Sequence, residues 1–461
     1  MPVDLTRFQT RLDKLDLMPY RGRIVRVAGM VLESQGPPVG VGQLCEIRLA
    51  EGKRVLAEVV GFHNDLRILL PLEGIEGISP DDPVMVHSSP RCIQLGDDIL
   101  GRVLDGLGRP IDGKGPLAGN ERRSLDNTSP PPLTRARITQ PLCFGIRALD
   151  GLLTCGKGQR MGIFAGSGVG KSRLLGETAR ASSADVNVVA LIGERGREVR
   201  GFLEESLGPE GLAKSVVVVA AADTSPIQRV KGAFTALSIA EYFRDQGKDV
   251  LLMMDSLTRL AQAQREIGLA AGEPPTTKGY CPSVFGLIPK LTERMGCAER
   301  GSITGMLTIL VEGDDMNDPV ADCARSLLDG HVVLSRKLAQ QGHYPAVDVL
   351  ASVSRLMDSI VSPAHRAAAQ KFRAIYSTYL GAEDLINIGA FAAGSNQRID
   401  RAISLIDRVK EFLIQGLGVR SSFEETERRL VELTVPWEFL LSAVAPAPAA
   451  AKARPIVGAR K

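Results

Sequence analysis

Residues 161–172, MGIFAGSGVGKS, constrain this chain more than any other stretch: an apolar run enters a turn built on Gly166, Gly168 and Gly170 and leaves it through Lys171 and Ser172. The run 161–165 has strand character and residues 173–180, RLLGETAR, read as a helix, so the glycines occupy a strand-to-helix turn. Glycines at alternate positions let backbone N–H groups converge on an anion, and the helix N-terminus adds partial positive charge at the same place. The pattern is that of a phosphate-binding loop. Gly166, Ser167, Gly168, Val169 and Gly170 form the cradle, Lys171 reaches the β- and γ-phosphates of a nucleotide, and the Ser172 hydroxyl is a ligand for Mg²⁺. The strict pattern opens on glycine, and Ala165 stands in that place here. Taken alone, the octamer is also compatible with a glycine-rich turn that holds no nucleotide, so the rest of the chain has to decide.

At 461 residues there is room for two or three domains and a large core. Lys and Arg number 56 against 53 Asp and Glu, a net charge of +3, so no global field argues for nucleic acid or an anionic membrane as partner. The opening residues, MPVDLTRF, lack the basic segment and apolar core of a secretion signal, and no apolar run is long enough to span a bilayer, which predicts a cytosolic protein. The seven cysteines form no C-x-x-C pair and have no histidines at zinc-ligand spacing, so they are expected as reduced, mostly buried thiols.

Within residues 1–20, Leu5, Phe8, Leu12 and Leu15 recur at steps of three and four opposite Arg7, Arg11, Asp13 and Lys14, which predicts a short amphipathic helix. The pattern leaves open whether that helix packs on its own protein or docks a partner helix. From 21 to 95 the texture changes to short β-prone runs at 24–27, 44–49, 55–60, 68–70 and 84–86 with turn signals between them, and the spacing predicts a small closed β-barrel without exposed sheet edges. Few aromatics interleave with basic residues there, which argues against an oligonucleotide-binding barrel. Residues 96–139 are rich in Gly, Pro and Asp and read as an ordered connector. Apolar runs at 186–192, 215–220, 249–255, 303–311 and 331–334, with a helical stretch at 230–243, predict a parallel sheet covered on both faces. The expected fold is an α/β P-loop (RecA-like) core over 96–357, preceded by the barrel and followed by a helical domain over 358–440. The end, 441–461, is low in complexity and expected to be disordered.

Ligands of such sheets sit beyond the carboxyl ends of the strands, and two carboxylates fall there. Asp255 ends the apolar run 251–255 and suits a Mg²⁺ held through water; Glu194 comes after the run 186–192 and suits orientation of an attacking water. Arg195, Arg197 and Glu198 read equally as a solvated charge cluster.

The sequences GERGRE at 193–198, residues 101–116, and YPAVD at 344–348 resemble the catalytic β-subunit of rotary ATP synthases and its relatives. Residues 151–162, EPPTTKGY at 273–280, and residues 308–322 are similar to the flagellum-specific export ATPases and their injectisome cousins, and GSGVG at 166–170 has the flagellar form. The resemblance runs over residues 20–440 and implies an ATPase that energises flagellar type III protein export, in the cytoplasm at the periphery of the inner-membrane export apparatus. It implies Mg²⁺ as cofactor, Lys171 and Ser172 as phosphate and magnesium ligands, Asp255 as the strand-end acid and Glu194 as the catalytic carboxylate. Arg195 and Arg259 match supporting arginines, Tyr344 the aromatic that packs on adenine, and Arg355 the arginine finger given to the neighbouring subunit. A finger acting across an interface implies a homohexameric ring. The resemblance further implies a coiled-coil regulator at the N-terminal helix, a central stalk at the C-terminal helices, and the export gate, substrates and chaperones as partners, with no nucleic acid. The alternatives are an injectisome ATPase and a non-catalytic nucleotide-binding ring subunit; the latter type carries Gln where this chain has Glu194.

Overall fold

In the computed structural model, residues 21–50, 52–87, 92–311 and 315–442 are described. The expected N-terminal helix and the segment beyond 442 lie outside them.

Six strands close a barrel: β1 (Arg21–Ala28), β2 (Val31–Gln35), β3 (Leu44–Arg48), β4 (Arg54–His63), β5 (Leu66–Pro71) and β6 (Pro83–Val86), in the order β1-β2-β5-β4-β3-β6. Alternation decides which side chains fill it: β4 buries Val55, Ala57 and Val59, and these meet Ile24, Leu32, Cys45, Ile47, Leu69 and Val84 inside. The β4–β5 hairpin turns at Asn64, which takes φ 54°, a conformation asparagine tolerates. The five β-prone runs of the sequence are all strands. The sixth, β2, reads VLESQ and hides its one buried polar residue by giving the Ser34 hydroxyl to the carbonyls of Arg23 and Gly36.

The second layer is a nine-stranded sheet. Its main path comprises β7 (Val103–Asp105), β8 (Arg160–Ala165), β9 (Val186–Ile192), β10 (Ser215–Ala220), β11 (Asp249–Asp255), β12 (Ser302–Leu310), β13 (Gly330–Leu334) and β14 (Val347–Ser354), ordered β14-β13-β8-β12-β11-β9-β10-β7. The pairings are parallel except that of β14 on β13 and of the short Gly296–Cys297 strand on β12. Every residue of β9 and β10 is buried, which is why these strands read as continuous apolar runs. Successive side chains serve two different cores: Ile163 and Val189 face one, Phe164 and Val188 the other. The first holds α1 (Lys171–Ala181) and the C-terminal helices, the second α2 (Pro226–Asp245) and α3 (Leu257–Ala270). Two features add to the expected parallel sheet. The connector itself supplies edge strand β7, and the opposite edge, β14, runs antiparallel because it returns from β13 through a short helical turn, Arg336–Gln340, with no full crossover.

Three helices close the chain, α4 (Pro363–Asn387), α5 (Gln397–Leu413) and α6 (Phe423–Ser442). Phe372, Ile375 and Tyr376 pack with Ala402, Ile406, Val409 and Phe412 in the first core. The starts of α4, α5 and α6 are capped by Ser362, Asn396 and Ser422, which accept from the backbone N–H of His365, Arg398 and Glu425. Arg147 ties this domain to the sheet by donating to the carbonyls of Phe412 at 2.8 Å and Ile414 at 2.6 Å at the end of α5. The seven cysteines are free, and Cys45, Cys155, Cys281 and Cys297 are buried.

Among the described residues, the pair of Arg294 and Glu241 is fully enclosed. Arg294 gives a forked pair of 2.8 Å bonds to Glu241 of α2, reaches the Leu125 carbonyl at 2.8 Å and lies over the Phe234 ring, which fastens the connector to the helix layer. Removing one member leaves a buried charge without its partner, so Arg294→Met is expected to cost about 3–5 kcal/mol. Arg294→Met with Glu241→Leu is expected to recover most of that loss; urea unfolding of the three proteins measures it.

Candidate active site

Because β8, β12, β11 and β9 are parallel neighbours in register, they end at one edge, and the loops leaving their carboxyl ends converge there. After β8 comes the glycine loop. Val169 is buried and anchors it, while Gly168 (φ 78°) and Gly170 (φ 90°) take the left-handed conformation that lets the chain turn into α1. Lys171 opens that eleven-residue helix, so its backbone N–H and those beside it point out of the loop with the positive end of the helix dipole.

The Lys171 ammonium lies 2.5 Å from Asp255 Oδ1 and 3.5 Å from Glu194 Oε1. Asp255, 3% exposed at the end of β11, also accepts the Thr308 hydroxyl on the same Oδ1 at 2.7 Å, from the neighbouring strand β12. Glu194 stands just past β9 on a turn at Gly193 (φ 70°), where an added Cβ would lie 2.7 Å from Arg259 Cβ; only glycine lets α3 approach so closely. Burial and the negative charge of Asp255 push the Glu194 carboxyl up to about 7, against the pull of Lys171. Glu198 accepts the hydrogen bond of the protonated acid and is itself held below the usual carboxylate range by it.

The remaining residues divide. Ser172 is exposed in the first turn of α1; its hydroxyl and the Asp255 carboxylate are hard oxygen donors, which fit a small divalent cation such as Mg²⁺. Ser167 is exposed on the loop and Gly166 is buried beneath it. Arg195 has a side chain 77% exposed and reaches Glu198 at 3.9 Å, so the fold does not draw it into the lysine–carboxylate cluster. Arg259 sits below Gly193 and donates to Gln262 at 2.9 Å. The Tyr344 ring covers the loop, 3.3 Å from where a Gly170 Cβ would stand.

Tyr344, 40% exposed, is one wall of a cavity of about 290 Å³ whose other sides are Val169, Pro345, Ile414, Leu417 and Val419. An apolar slot beside a phosphate loop is shaped for a planar base. Gln415 holds the far wall in place: its N–H donates to the Tyr344 carbonyl at 2.9 Å, and its amide joins Gly145 and Arg147 at 2.7 and 2.9 Å. Sequence reasoning missed 414–419, which carry no motif; the one signal was the pair Gly416 and Gly418 breaking the chain after α5. A larger groove, about 950 Å³, lies between the barrel and helices α2 and α3, but none of the loop residues 166–172 lines it.

Arg355 lies elsewhere. β14 begins beside Leu334, at the loop edge, and ends beside Gly330, at the opposite edge of the sheet. Arg355 comes just after that far end, exposed, and donates to the Arg325 carbonyl at 3.1 Å. It is separated from its own phosphate loop by the length of the strand.

Comparison with known proteins bears on the family and the fold. The ATP synthase alpha/beta family, nucleotide-binding domain, matches residues 145–354; its beta-barrel domain matches 24–85, and the T3SS EscN ATPase C-terminal domain matches 361–432. The flagellum-specific ATP synthase of Bacillus subtilis is 50% identical over 92% of this chain and 97% of its own length. The chain belongs to the ATP synthase alpha/beta family. Within the family it is 48% identical to the type 3 secretion system ATPase of Xanthomonas euvesicatoria, over 94% of this chain and 98% of that one. The assembled ATPase EscN of the enteropathogenic E. coli type III secretion system superposes with a TM-score of 0.85 at 45% identity, covering 90% of this chain and 100% of EscN.

The raised acid makes stability depend on pH. Between the ordinary 4.5 and about 7, Glu194 is protonated in the folded chain and ionised in the unfolded one, so stability falls as pH rises through that window. Allowing for partial solvent screening, the fall is expected to be about 2 kcal/mol. Unfolding free energies at pH 5 and pH 8 should show that slope in the wild type and lose it in Glu194→Gln.

Proposed function

We propose that this protein is an ATP hydrolase that energises flagellar type III protein export as a ring of identical subunits. The reading is carried by one observation: Lys171, Asp255 and Glu194 meet at one edge of the sheet, with a carboxylic acid at 194 where a non-hydrolysing subunit would need none. The flagellar assignment rests on the names of most of the close relatives, among them those of Bacillus subtilis and, at 48% identity over 94% of this chain, Pseudomonas aeruginosa.

Each role derives from position. The N–H groups of 166–170 and the Lys171 ammonium bind the phosphates, Lys171 exchanging Asp255 for a phosphate oxygen. Ser172 and Asp255 would hold Mg²⁺, which when bound neutralises charge on the phosphates. Glu194, ionised above about pH 7, orients the attacking water and takes up its proton, with Glu198 bonded behind it. Tyr344 packs on the base. Arg195 supports from the solvent side. Arg355 cannot reach its own loop along β14, so it completes the site of the next subunit, where its fixed charge stabilises the transferring phosphoryl group.

The relative EscN has been solved in complex with its central stalk EscO, at 44% identity to this chain. A stalk is assigned here to the C-terminal helices, where Leu385 and Ile388, the latter 74% exposed, present apolar surface at the end of α4. A coiled-coil regulator is assigned to residues 1–20, and the export gate, substrates and chaperones to the ring as a whole, at the cytoplasmic periphery of the inner membrane. Among the described residues no helix is long and apolar enough to cross a membrane.

Two measurements test the reading. The kcat/KM for ATP hydrolysis is expected to rise with pH through about 7, and Glu194→Gln to be low and flat across the range. Arg355→Ala is expected to lose about 10³-fold in kcat while still binding nucleotide. An equal mixture of Arg355→Ala with Lys171→Ala should regain part of the rate, since one supplies intact loops and the other intact fingers. A mixture as inactive as its components would remove the shared site.

A further inference from the structure

The turn that carries Arg355 is held by the residues that begin its own subunit's phosphate-loop strand. Gln159, immediately ahead of β8, is 0% exposed. Its Nε2 donates to the Asp329 carbonyl and to the Ser354 hydroxyl, both at 3.0 Å, and its Oε1 accepts from the Gly156 N–H at 2.8 Å. The Ser354 hydroxyl continues to the Thr154 carbonyl at 2.7 Å. Arg160, the first residue of β8, is locked on Asp329: its backbone N–H and Nε each donate to Oδ2 at 3.0 Å and its Nη2 to Oδ1 at 3.3 Å, while Nη1 reaches Glu293 at 2.6 Å. The Asp329 carbonyl accepts the backbone N–H of Arg355 at 3.0 Å. Chain segments 159–160, 329 and 354–355 are therefore one hydrogen-bonded block.

A buried amide that has spent both its donor and its acceptor holds a single geometry, and a forked arginine–carboxylate pair does the same in a second plane. We infer that Gln159, Arg160 and Asp329 are positioning residues for the arginine finger, fixing the turn at Arg355 to the base of the strand whose other end is the phosphate loop. The inference rests on the assignment of Arg355 to the neighbouring subunit's site. Strand β8 then has a site at each end: its own nucleotide at the loop, and through Arg355 the neighbour's nucleotide. A displacement of about 1 Å in a charged group at a reacting centre is worth roughly 10² in rate, so the block matters without touching substrate.

Subunit mixing separates this role from damage to the subunit's own site. Asp329→Asn removes the charge that Arg160 grips and Gln159→Met removes the amide's bonds to Gly156, Asp329 and Ser354, each at nearly constant side-chain volume, so each loosens one half of the clamp. Each is expected to lower kcat by about 10²-fold with KM and fluorescent-nucleotide affinity within about threefold of wild type. Mixed with Lys171→Ala, which brings sound fingers, each should recover as much rate as Arg355→Ala does in the same mixture. Mixed with Arg355→Ala, neither should recover any, because both partners lack a working finger. Recovery with Arg355→Ala but not with Lys171→Ala would assign these residues to their own phosphate loop and overturn the inference, and so would an unchanged kcat. If the control mixture of Arg355→Ala and Lys171→Ala fails, the trans assignment of the finger falls first. Circular dichroism and ring formation on adding nucleotide establish that each variant folds; should Asp329→Asn not fold, Gln159→Met is read alone.

Discussion

The ammonium of Lys171 is nearly buried, and its charge is the constraint around which the loop edge of the sheet is arranged. A cation withdrawn from water needs a counter-ion, and Asp255 supplies it at 2.5 Å. Asp255 is itself more buried than the lysine, so it needs a second donor, and Thr308 provides one from the adjacent strand. A further carboxylate is withdrawn from water beside that pair, and its burial together with the charge of Asp255 outweighs the pull of Lys171, which is why Glu194 holds its proton to about pH 7. Strand register orders these charges: β12, β11 and β9 are parallel neighbours, and each delivers one polar group to the same edge.

The antiparallel edge strand sets the second constraint. A further parallel crossover would have exchanged the ends, placing the residue before β14 at the far edge and the residue after it at the loop edge. The short return from β13 instead leaves Tyr344 at the loop edge and Arg355 at the far edge, one strand length apart. On the roles proposed for them, the two residues serve different nucleotides, and the strand becomes the element through which neighbouring sites are related. On the role proposed for Arg355, each subunit carries part of its equipment facing away from its own substrate, and a closed ring of identical copies is the arrangement that leaves no part unmatched.

Legibility in the sequence tracks the range of the interactions. Short-range patterns can be read directly: the glycine turn, the five β-prone barrel runs and the near-continuous apolar central strands all depend on residues within a few positions. Strands β2 and β7 escape such a reading: VLESQ is too polar to stand out although it pairs with its hairpin neighbour β1, and VLD is too short, its partner β10 lying far along the chain. At the candidate site, Lys171, Asp255 and Glu194 are visible in the sequence and are brought together by the fold, whereas Thr308 is not visible, because a strand threonine carries no motif until its neighbour is known. The wall 414–419 lies far along the chain from the loop it faces, in a segment with no periodicity, and Gln415 acts only through backbone groups that a sequence does not display. Arg195 shows the converse: a motif position whose side chain the fold leaves in solvent.

The one departure from the strict loop pattern has a physical explanation in the same geometry. Ala165 is the last residue of β8, paired with Leu310 on one side and Leu334 on the other, and it is 1% exposed. Its backbone is that of a strand; it is not among the non-glycine residues of the described chain with positive φ, which are Asn64, Asp81 and Lys278. Nothing there demands glycine, and a methyl group packs into the first core on one face of the sheet, filling space that hydrogen would leave open. The demand falls instead on Gly168 and Gly170, where φ is 78° and 90° and where, at Gly170, the Tyr344 ring leaves a side chain little room. A pattern written as three or four glycines therefore contains positions of unequal necessity, and the ones that carry the turn into α1 are those this chain keeps.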